Sequence, residues 1–520
     1  MDRSKMISQL EDPSKVFDFI VIGGGATGIG IALDASTRGY SVALFEQLDF
    51  TKGTSSRSTK LVHGGVRYLA QGDVGLVLEA LRERGLLRKN APHLVKDQSF
   101  LIPCYRWWEG PFYTIGLVLY DLMAGKLGLG RSVCVGPKRA LGLIPMLKRE
   151  GMTAGVLYHD GQFDDSRLAI NLVRSAIDAG ALALNYTKVT GLLKDGGEVC
   201  GVTVRDEESG YIYNVKARCV INATGVFADE ILQMDEPGKA LTVRPSQGVH
   251  LVLDASFLKS DCAVMIPKTS DGRVLFAVPW HDKVVVGTTD TLMEHPDCEP
   301  VALEKEIEFI LSTASNYLTR PPKRSDVLSV FAGLRPLAAP SGEGMKTKEI
   351  SRSHKLIRDK SGLITIIGGK WTTYRKMAQD TVDLALKHLS LPVKECVTEH
   401  FAIHGSRPDP DFKDPLYVYG TDADEIRAMI ASSPAMAERL HPDYHYTVGE
   451  VTWLIRNEMP RTLEDVLARR LRILFLDARA AMSIAPRVAD ILADERGKDS
   501  SWAKDQLEAF NMVASNYIID

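Results

Sequence analysis

Phe17-Asp-Phe-Ile-Val-Ile-Gly23-Gly24-Gly25-Ala26-Thr27-Gly28 is an apolar run closed by glycines, and it leads into a stretch of helical spacing from Ala26 to Arg38. A continuous apolar run of this length, bounded by turn residues, reads as a buried parallel strand. Ile29, Ala32, Leu33 and Ser36 fall on spaced faces of the predicted helix, and Gly39 stands where a helix C-terminal glycine belongs. Ser41-Val-Ala-Leu-Phe-Glu46 is a second strand whose closing acid lies 18 residues beyond Gly28. In such a unit the first glycine of Gly23-x-Gly25-x-x-Gly28 makes a tight turn, and the second lets the backbone approach a pyrophosphate. The third lets helix and strand pack closely. The helix N-terminus turns its positive end to the phosphates, and Glu46 is placed to accept from ribose hydroxyls. The unit predicts a dinucleotide site.

Two further segments extend it. Cys219-Val-Ile-Asn-Ala223-Thr224-Gly225 and Leu363-Ile-Thr-Ile-Ile-Gly368-Gly369 are also apolar runs ending in glycine. Three such strand ends spread along the chain suit a long cofactor touched by separated segments, which favours FAD over NAD. Composition sets the frame around them. The chain has 520 residues, enough for two or three domains, and 63 Lys+Arg against 66 Asp+Glu give a net charge of −3. That balance argues against nucleic acid as a partner. Seven scattered cysteines without a C-x-x-C pair predict neither a disulfide framework nor a metal site, and fit a reducing compartment. The N-terminal stretch mixes acids and bases without the apolar segment of a targeting signal. The longest uncharged run, Phe19 to Leu33, falls short of the about 20 apolar residues that a bilayer span requires. The expectation is a protein that is soluble or lies on a membrane surface.

Close after Glu46, residues 51–68 crowd hydroxyls, glycines and cations together: Thr51-Lys-Gly-Thr54-Ser55-Ser56-Arg-Ser-Thr-Lys60-Leu-Val-His63-Gly64-Gly-Val-Arg67-Tyr68. Hydroxyls and backbone N–H groups cradle phosphate, and glycines let a flat ring approach the backbone. A solvated surface loop has a similar composition. The block 53–69 resembles the FAD-dependent glycerol-3-phosphate dehydrogenases, as do Ala223-Thr-Gly225, Gly333-Leu-Arg335-Pro and Gly368-Gly-Lys370-Trp-Thr372-Thr373-Tyr-Arg. The resemblance runs from about residue 16 to 480, in the family's order, and the first block is most similar to the mitochondrial branch.

The resemblance implies an α/β and α+β fold: a glutathione-reductase-like FAD-binding domain (1–80, 150–232 and 340–390), an antiparallel-sheet substrate domain (81–149 and 233–339) and a helical C-terminal cap (391–520). It implies oxidation of glycerol 3-phosphate to dihydroxyacetone phosphate by hydride transfer from C2 to flavin N5. Gly23, Gly25, Gly28 and Glu46 are then cofactor residues, with Thr54, Ser55, Ser56, Lys60, Gly64, Ala223, Gly225, Gly369, Lys370, Thr372 and Thr373. Thr372 and Thr373 are placed to open a helix aimed at the flavin. For the substrate phosphate the resemblance implies Arg67, Tyr68, Arg335, Arg352 and Lys370, and arginine suits oxyanions through its planar fork. His63 and His250 both match family positions, and a neutral imidazole suits proton abstraction. The reading adopted puts His250 and Arg335 at the substrate C2 hydroxyl and His63 nearer the flavin.

Arg106-Trp-Trp-Glu-Gly-Pro-Phe-Tyr-Thr-Ile-Gly-Leu-Val-Leu-Tyr120-Asp-Leu-Met-Ala-Gly-Lys126 admits two readings. Its aromatic residues suit a membrane interface, which agrees with a monotopic, ubiquinone-reducing family; an ordinary buried helix would have a similar pattern. No EF-hand loop is present in the sequence, so calcium regulation is not expected. These points predict an enzyme on the cytoplasmic face of an inner membrane, with a homodimer left open. Near the C-terminus, Thr462 is placed to cap a helix carrying Leu463, Val466, Leu467 and Leu471. Three other readings stay open: an oxygen-dependent glycerol-3-phosphate oxidase, an amine or amino-acid oxidase, and a flavin-binding sensor without turnover. The cations at 67, 335, 352 and 370 argue against an amine substrate.

Overall fold

Val16–Ile22 is a strand with Phe19, Ile20 and Val21 fully buried, and each such side chain contributes roughly 1.5–3 kcal/mol by leaving water. The structure, a computed structural model, describes residues 1–69, 72–269, 272–339 and 354–519, without the side chains of Arg67 and Tyr68. The predicted helix follows as Ala26–Thr37, and Gly39 takes a φ of 79° just beyond it. Val16–Ile22 pairs in parallel with Val42–Phe45 on one side and with Ile212–Asn222 on the other. Leu182–Leu184 extends the parallel sheet beyond Val42–Phe45, and Ile364–Ile367 extends it beyond Ile212–Asn222. The three strands that end in glycine are therefore neighbours, and Gly23, Ala223 and Gly368 leave the sheet at one edge. Ligands of open parallel sheets bind at this carboxyl edge. Thr187–Asp195 and Glu198–Asp206 continue from Ile212–Asn222 as an antiparallel ribbon.

A second, ten-stranded sheet is antiparallel except where Ala263–Ile266 runs parallel to Val95–Cys104. Its long central pair is Val243–Asp254 with Val327–Ala338. Leu61–Val62 and Ala154–Phe163, which fall within the segments expected for the nucleotide domain, pair in this second sheet. The residues after 391 are largely helical, including Val448–Asn457, Ala478–Arg496 and Ser500–Ser515.

The predicted helix after Thr462 takes a different form. The Thr462 hydroxyl accepts from the Asp465 amide at 3.3 Å, as a cap should, but Asp465–Arg470 is a π-helical turn. Arg472 then adopts a left-handed conformation (φ 69°) before the short helix Ile473–Leu476. Consecutive residues of an α-helix point about 100° apart. Here Arg469 and Arg470, at the end of the turn, both reach the buried Asp49 carboxylate, Arg469 Nε at 2.6 Å from Oδ2.

Segment 106–126 forms the helix Glu109–Ala124, which is neither buried nor fully exposed. Leu117, Tyr120 and Ala124 face inward. Trp108, Phe112, Ile115, Leu119 and Leu122, at helical spacing, form an outward apolar stripe, with Ile115 73% and Leu122 72% exposed. Among the described residues no helix is long and apolar enough to cross a membrane.

Candidate active site

The turn after Val16–Ile22 shows why glycine is required there. Gly23 has a φ of 109°, and a Cβ on it would stand 2.7 Å from the Ala223 carbonyl oxygen. A Cβ on Gly28 would stand 1.9 Å from the Gly23 carbonyl oxygen, so the third glycine serves helix–strand contact and does not line the cavity. Glu46 accepts from the Gly24 amide at 2.6 Å and the Leu48 amide at 2.9 Å, and burial pushes its carboxyl above the ordinary range against these donors. The Ser55 hydroxyl accepts from the Ala26 amide at 2.9 Å, which ties residues 53–56 to the start of the first helix.

A cavity lies along the carboxyl edge of the parallel sheet. It takes in Gly23, Gly25, Glu46, Thr54, Ser55, Ala223, Gly225, Gly369 and Lys370. Backbone and small side chains dominate the lining at the strand ends. Gly225 and Gly369 have φ of 63° and 78°, a conformation in which any other residue would be strained. Such a trough fits an extended dinucleotide cofactor.

A second cavity adjoins the first and shares Thr54, Pro336 and Gly368 to Trp371 with it. Its walls include His63, His250, Arg335, Lys370 and Thr372. The sheet register explains how His250 and Arg335 meet. His250 lies opposite Phe331, Gly248 opposite Gly333 and Ser246 opposite Arg335, so alternation puts His250, Phe331 and Arg335 on one face. Gly248 lies between them, where a Cβ would stand 2.3 Å from Arg335 Nη2. Arg335 Nη2 donates to the Thr288 hydroxyl at 2.9 Å, and Nη1 lies 3.8 Å from Asp290.

His250 is buried, with its ring stacked on Phe331 at 4.9 Å. Its Nε2 is 2.9 Å from the Thr59 hydroxyl, and its Nδ1 has no hydrogen-bond partner among the described residues. Burial, then Arg335 and Lys60, push the imidazole well below its ordinary pKa, so the ring is neutral near pH 7. His63 follows the strand Leu61–Val62, and its backbone exchanges 3.3 Å hydrogen bonds with the Thr372 hydroxyl. Trp371–Thr373 is a single tight turn entering the helix Tyr374–His388.

Other expected residues stand elsewhere. Ser56, Lys60, Gly64 and Thr373 line neither cavity. Gly64 packs against Leu81 and Tyr120, where a Cβ would stand 2.4 Å from the Tyr120 hydroxyl. Thr373 is buried, with its hydroxyl 3.3 Å from the Lys370 carbonyl. Lys60, expected beside the cofactor, is fully buried and bonded to Asp165 at 2.8 Å. That carboxylate supplies what a cation needs away from water. Arg67 and Tyr68 belong to the short helix Val66–Leu69, which begins in the wall of the second cavity, but their side chains lie outside the described residues. Arg352 lies outside them altogether. Thr59, Asp160, Arg273, Thr288 and Asp290 line the second cavity and were not singled out from sequence. Thr59 stood within the quoted block, whereas Arg273 and Asp290 have no local pattern of their own.

The FAD dependent oxidoreductase family matches residues 18–375, and the C-terminal domain of alpha-glycerophosphate oxidase matches residues 363–503. The chain is 39% identical over 539 aligned positions to the mitochondrial glycerol-3-phosphate dehydrogenase SDP6 of Arabidopsis thaliana, covering 95% of this chain and 85% of that one. It is 38% identical to the mitochondrial glycerol-3-phosphate dehydrogenase of Homo sapiens, covering 97% and 74%. The FAD-complexed glycerol-3-phosphate dehydrogenase of Bacillus halodurans superposes with a TM-score of 0.81 at 28% identity, over 99% of this chain and 98% of that one. Alpha-glycerophosphate oxidase from Mycoplasma pneumoniae shares the fold, with a TM-score of 0.58 at 16% identity over 74% of this chain and 98% of that one.

Proposed function

The chain belongs to the FAD-dependent glycerol-3-phosphate dehydrogenase family, and from that premise we propose that it oxidises sn-glycerol 3-phosphate to dihydroxyacetone phosphate and delivers the electrons to a membrane quinone. The observation that carries this reading is the continuity of the glycine-lined trough with a cavity walled by His250, Arg335 and Lys370. FAD is the cofactor, and when bound it supplies the hydride acceptor.

Gly23, Gly25, Glu46, Ser55, Ala223, Gly225 and Gly369 hold the cofactor in the trough. Arg335 and Lys370 grip the substrate phosphate. Arg335 is held by Thr288 and Asp290, so its fork is presented in a fixed plane. His250 in the wall of the second cavity, its Nε2 hydrogen-bonded to the Thr59 hydroxyl, is the group that takes the C2-hydroxyl proton. His63, anchored through its backbone to Thr372, orients the cofactor side of the cavity.

The apolar stripe of Glu109–Ala124 supports a peripheral seat on the membrane, placed on the cytoplasmic face. Trp107, 82% exposed, and the exposed Arg106 and Lys126 flank it, as an interfacial helix on an anionic bilayer requires. A quinone acceptor in that bilayer is then within reach of the same face.

Anaerobic mixing of the purified protein with glycerol 3-phosphate tests the reading. The visible flavin band is expected to bleach with glycerol 3-phosphate and to persist with glycerol. Adding ubiquinone should restore the band faster than air does. Persistence of the band with glycerol 3-phosphate would overturn the substrate, and fast reoxidation by air with peroxide release would make the protein an oxidase. His250→Ala is expected to slow bleaching by at least about a hundredfold, the ordinary worth of a positioned base.

A further inference from the structure

Beneath the wall of the second cavity lies a buried cation that the reaction does not touch. Lys60 Nζ donates to Asp165 Oδ2 at 2.8 Å and to the Ser56 carbonyl at 2.7 Å, and both side chains are fully buried. The ammonium stands 5.1 Å from the ring centres of Trp280 and Phe331 and 5.2 Å from that of Phe475. The same Asp165 oxygen accepts from the Ser58 amide at 3.0 Å and the Ser58 hydroxyl at 2.7 Å. Its other oxygen takes Arg472 at 2.8 Å. Ser58 in turn accepts from the Lys60 amide at 3.0 Å. Residues 58 and 60 are thus both fastened to one carboxylate, with Thr59 between them. Lys60 is held at a φ of 64°, a left-handed conformation that a non-glycine residue keeps only under such constraint.

Thr59 is the residue whose hydroxyl meets His250 Nε2. Phe331, the ring on which His250 stacks, is also one wall of the Lys60 cage. Both supports of the histidine therefore rest on Lys60.

We propose that Lys60, clamped on Asp165, is a positioning residue for His250, fixing the Thr59 hydroxyl and the Phe331 ring that hold the imidazole for proton abstraction. The inference rests on His250 being the base. Lys60 acts through geometry and through charge. The charged groups around the imidazole are Arg335, backed by Asp290, on the neighbouring strand side, and Lys60, backed by Asp165, Arg472 and Asp164, below. Burial pushes the Lys60 ammonium down to about 7, so it is charged in the acid range where His250 protonates, and removing it there leaves Arg335 as the remaining charge that opposes protonation of His250. The acid limb of the pH–rate profile then moves to higher pH; loosened packing would move it the same way by relieving burial, so the limb is read beside Thr59→Val, which loosens the histidine without removing a charge.

Lys60→Met, Thr59→Val and the double variant, each loaded with FAD, are compared with the parent by rapid-mixing reduction with glycerol 3-phosphate across pH. Lys60→Met is expected to lower the reduction rate by at least about tenfold with KM within about threefold, and to shift the acid limb upward. Thr59→Val, which keeps shape and removes the hydroxyl, is expected to lower the rate similarly with a smaller upward shift. The double variant should be little slower than the slower single, because the two act as one unit. FAD-loaded Lys60→Met with a near-parental rate and an unmoved acid limb would overturn the proposal. If Lys60→Met does not fold, Thr59→Val decides: a parental rate overturns the clamp, and a rate loss with full FAD content supports it. His250→Ala separates the two levels. If it retains turnover, the base assignment and the clamp both fall; if it is inactive while Lys60→Met is active, the clamp alone falls.

Discussion

Trp371 Nε1 donates to the Ser55 carbonyl at 2.8 Å, across 316 residues of sequence, at the place where the two cavities join. The indole also meets Phe163 and Tyr374 edge-on at 5.3 and 5.5 Å. This bond fastens the last glycine turn of the trough to the hydroxyl-rich loop that follows Glu46. Trp371→Phe keeps the apolar body and removes the donor, at a cost of about 1 kcal/mol. FAD should dissociate about fivefold more readily, measured as flavin retained after dialysis. Full retention would show that the bond plays no part in holding the trough.

Gly23→Ala adds a methyl 2.7 Å from the Ala223 oxygen at a backbone φ of 109°. The strained conformation alone costs about 1–3 kcal/mol, and the clash forces the turn out of place. The purified variant should be nearly colourless, read from the ratio of flavin to protein absorbance.

Arg335→Lys retains a charge and loses the planar fork held by Thr288 and Asp290. The expected result is a KM for glycerol 3-phosphate raised about tenfold, equivalent to about 1.4 kcal/mol, with a smaller change in kcat. A change in kcat without a change in KM would remove Arg335 from phosphate binding.

His404 lies between Asp178 and Asp422, 2.8 Å from one and 3.1 Å from the other, and pins the chain after the parallel sheet to the helix Asp165–Asp178. Burial opposes its protonation, but the two carboxylates outweigh burial and hold its pKa above the ordinary value. A raised folded-state pKa gives stability that is complete below the unfolded value, about 6.5, and lost as pH rises through the folded one. The gap in melting temperature between parent and His404→Ala should therefore be wider at about pH 5.5 than at about pH 8.5. An equal gap at both would mean that the imidazole charge contributes nothing.

Ile115→Glu sets a carboxylate in the centre of the outward stripe of Glu109–Ala124. Losing one buried aliphatic side chain removes roughly 1.5–3 kcal/mol of partitioning. Co-sedimentation with anionic vesicles should fall by at least tenfold. Quinone reduction in vesicles should fall with it, while reduction of a soluble dye stays at the parental level. Unchanged sedimentation would place the membrane contact elsewhere.

The nucleotide trough was legible in the sequence because its chemistry is local. Gly23, Gly25, Gly28 and Glu46 sit within 24 residues, and each is required by the backbone of one strand–helix–strand unit. Arg335, in Gly333-Leu-Arg335-Pro, and His250 entered the reading through family resemblance and not through a local backbone requirement. The partner of Lys60 was not legible, because a cation in a hydroxyl-rich segment looks the same whether it faces a phosphate or a buried carboxylate. Asp165, which decides the matter, lies 105 residues away. The helix Glu109–Ala124 was ambiguous for want of its neighbours, since spacing defines two faces and only packing against Leu117 and Tyr120 tells which one is inside.

By itself, then, the sequence determined the parallel-sheet nucleotide unit, the cofactor class it suits and the set of polar residues available for chemistry, because short-range backbone sterics and periodicity specify those. Tertiary structure alone decided which of these residues share a cavity. The strand register sets Arg335 beside His250, the Asp165 carboxylate draws Lys60 beneath it, and the sheet edge gathers Gly23, Gly225 and Gly369 around one trough. Such meetings depend on contacts between segments 85 residues or more apart, and no local window of sequence contains both partners.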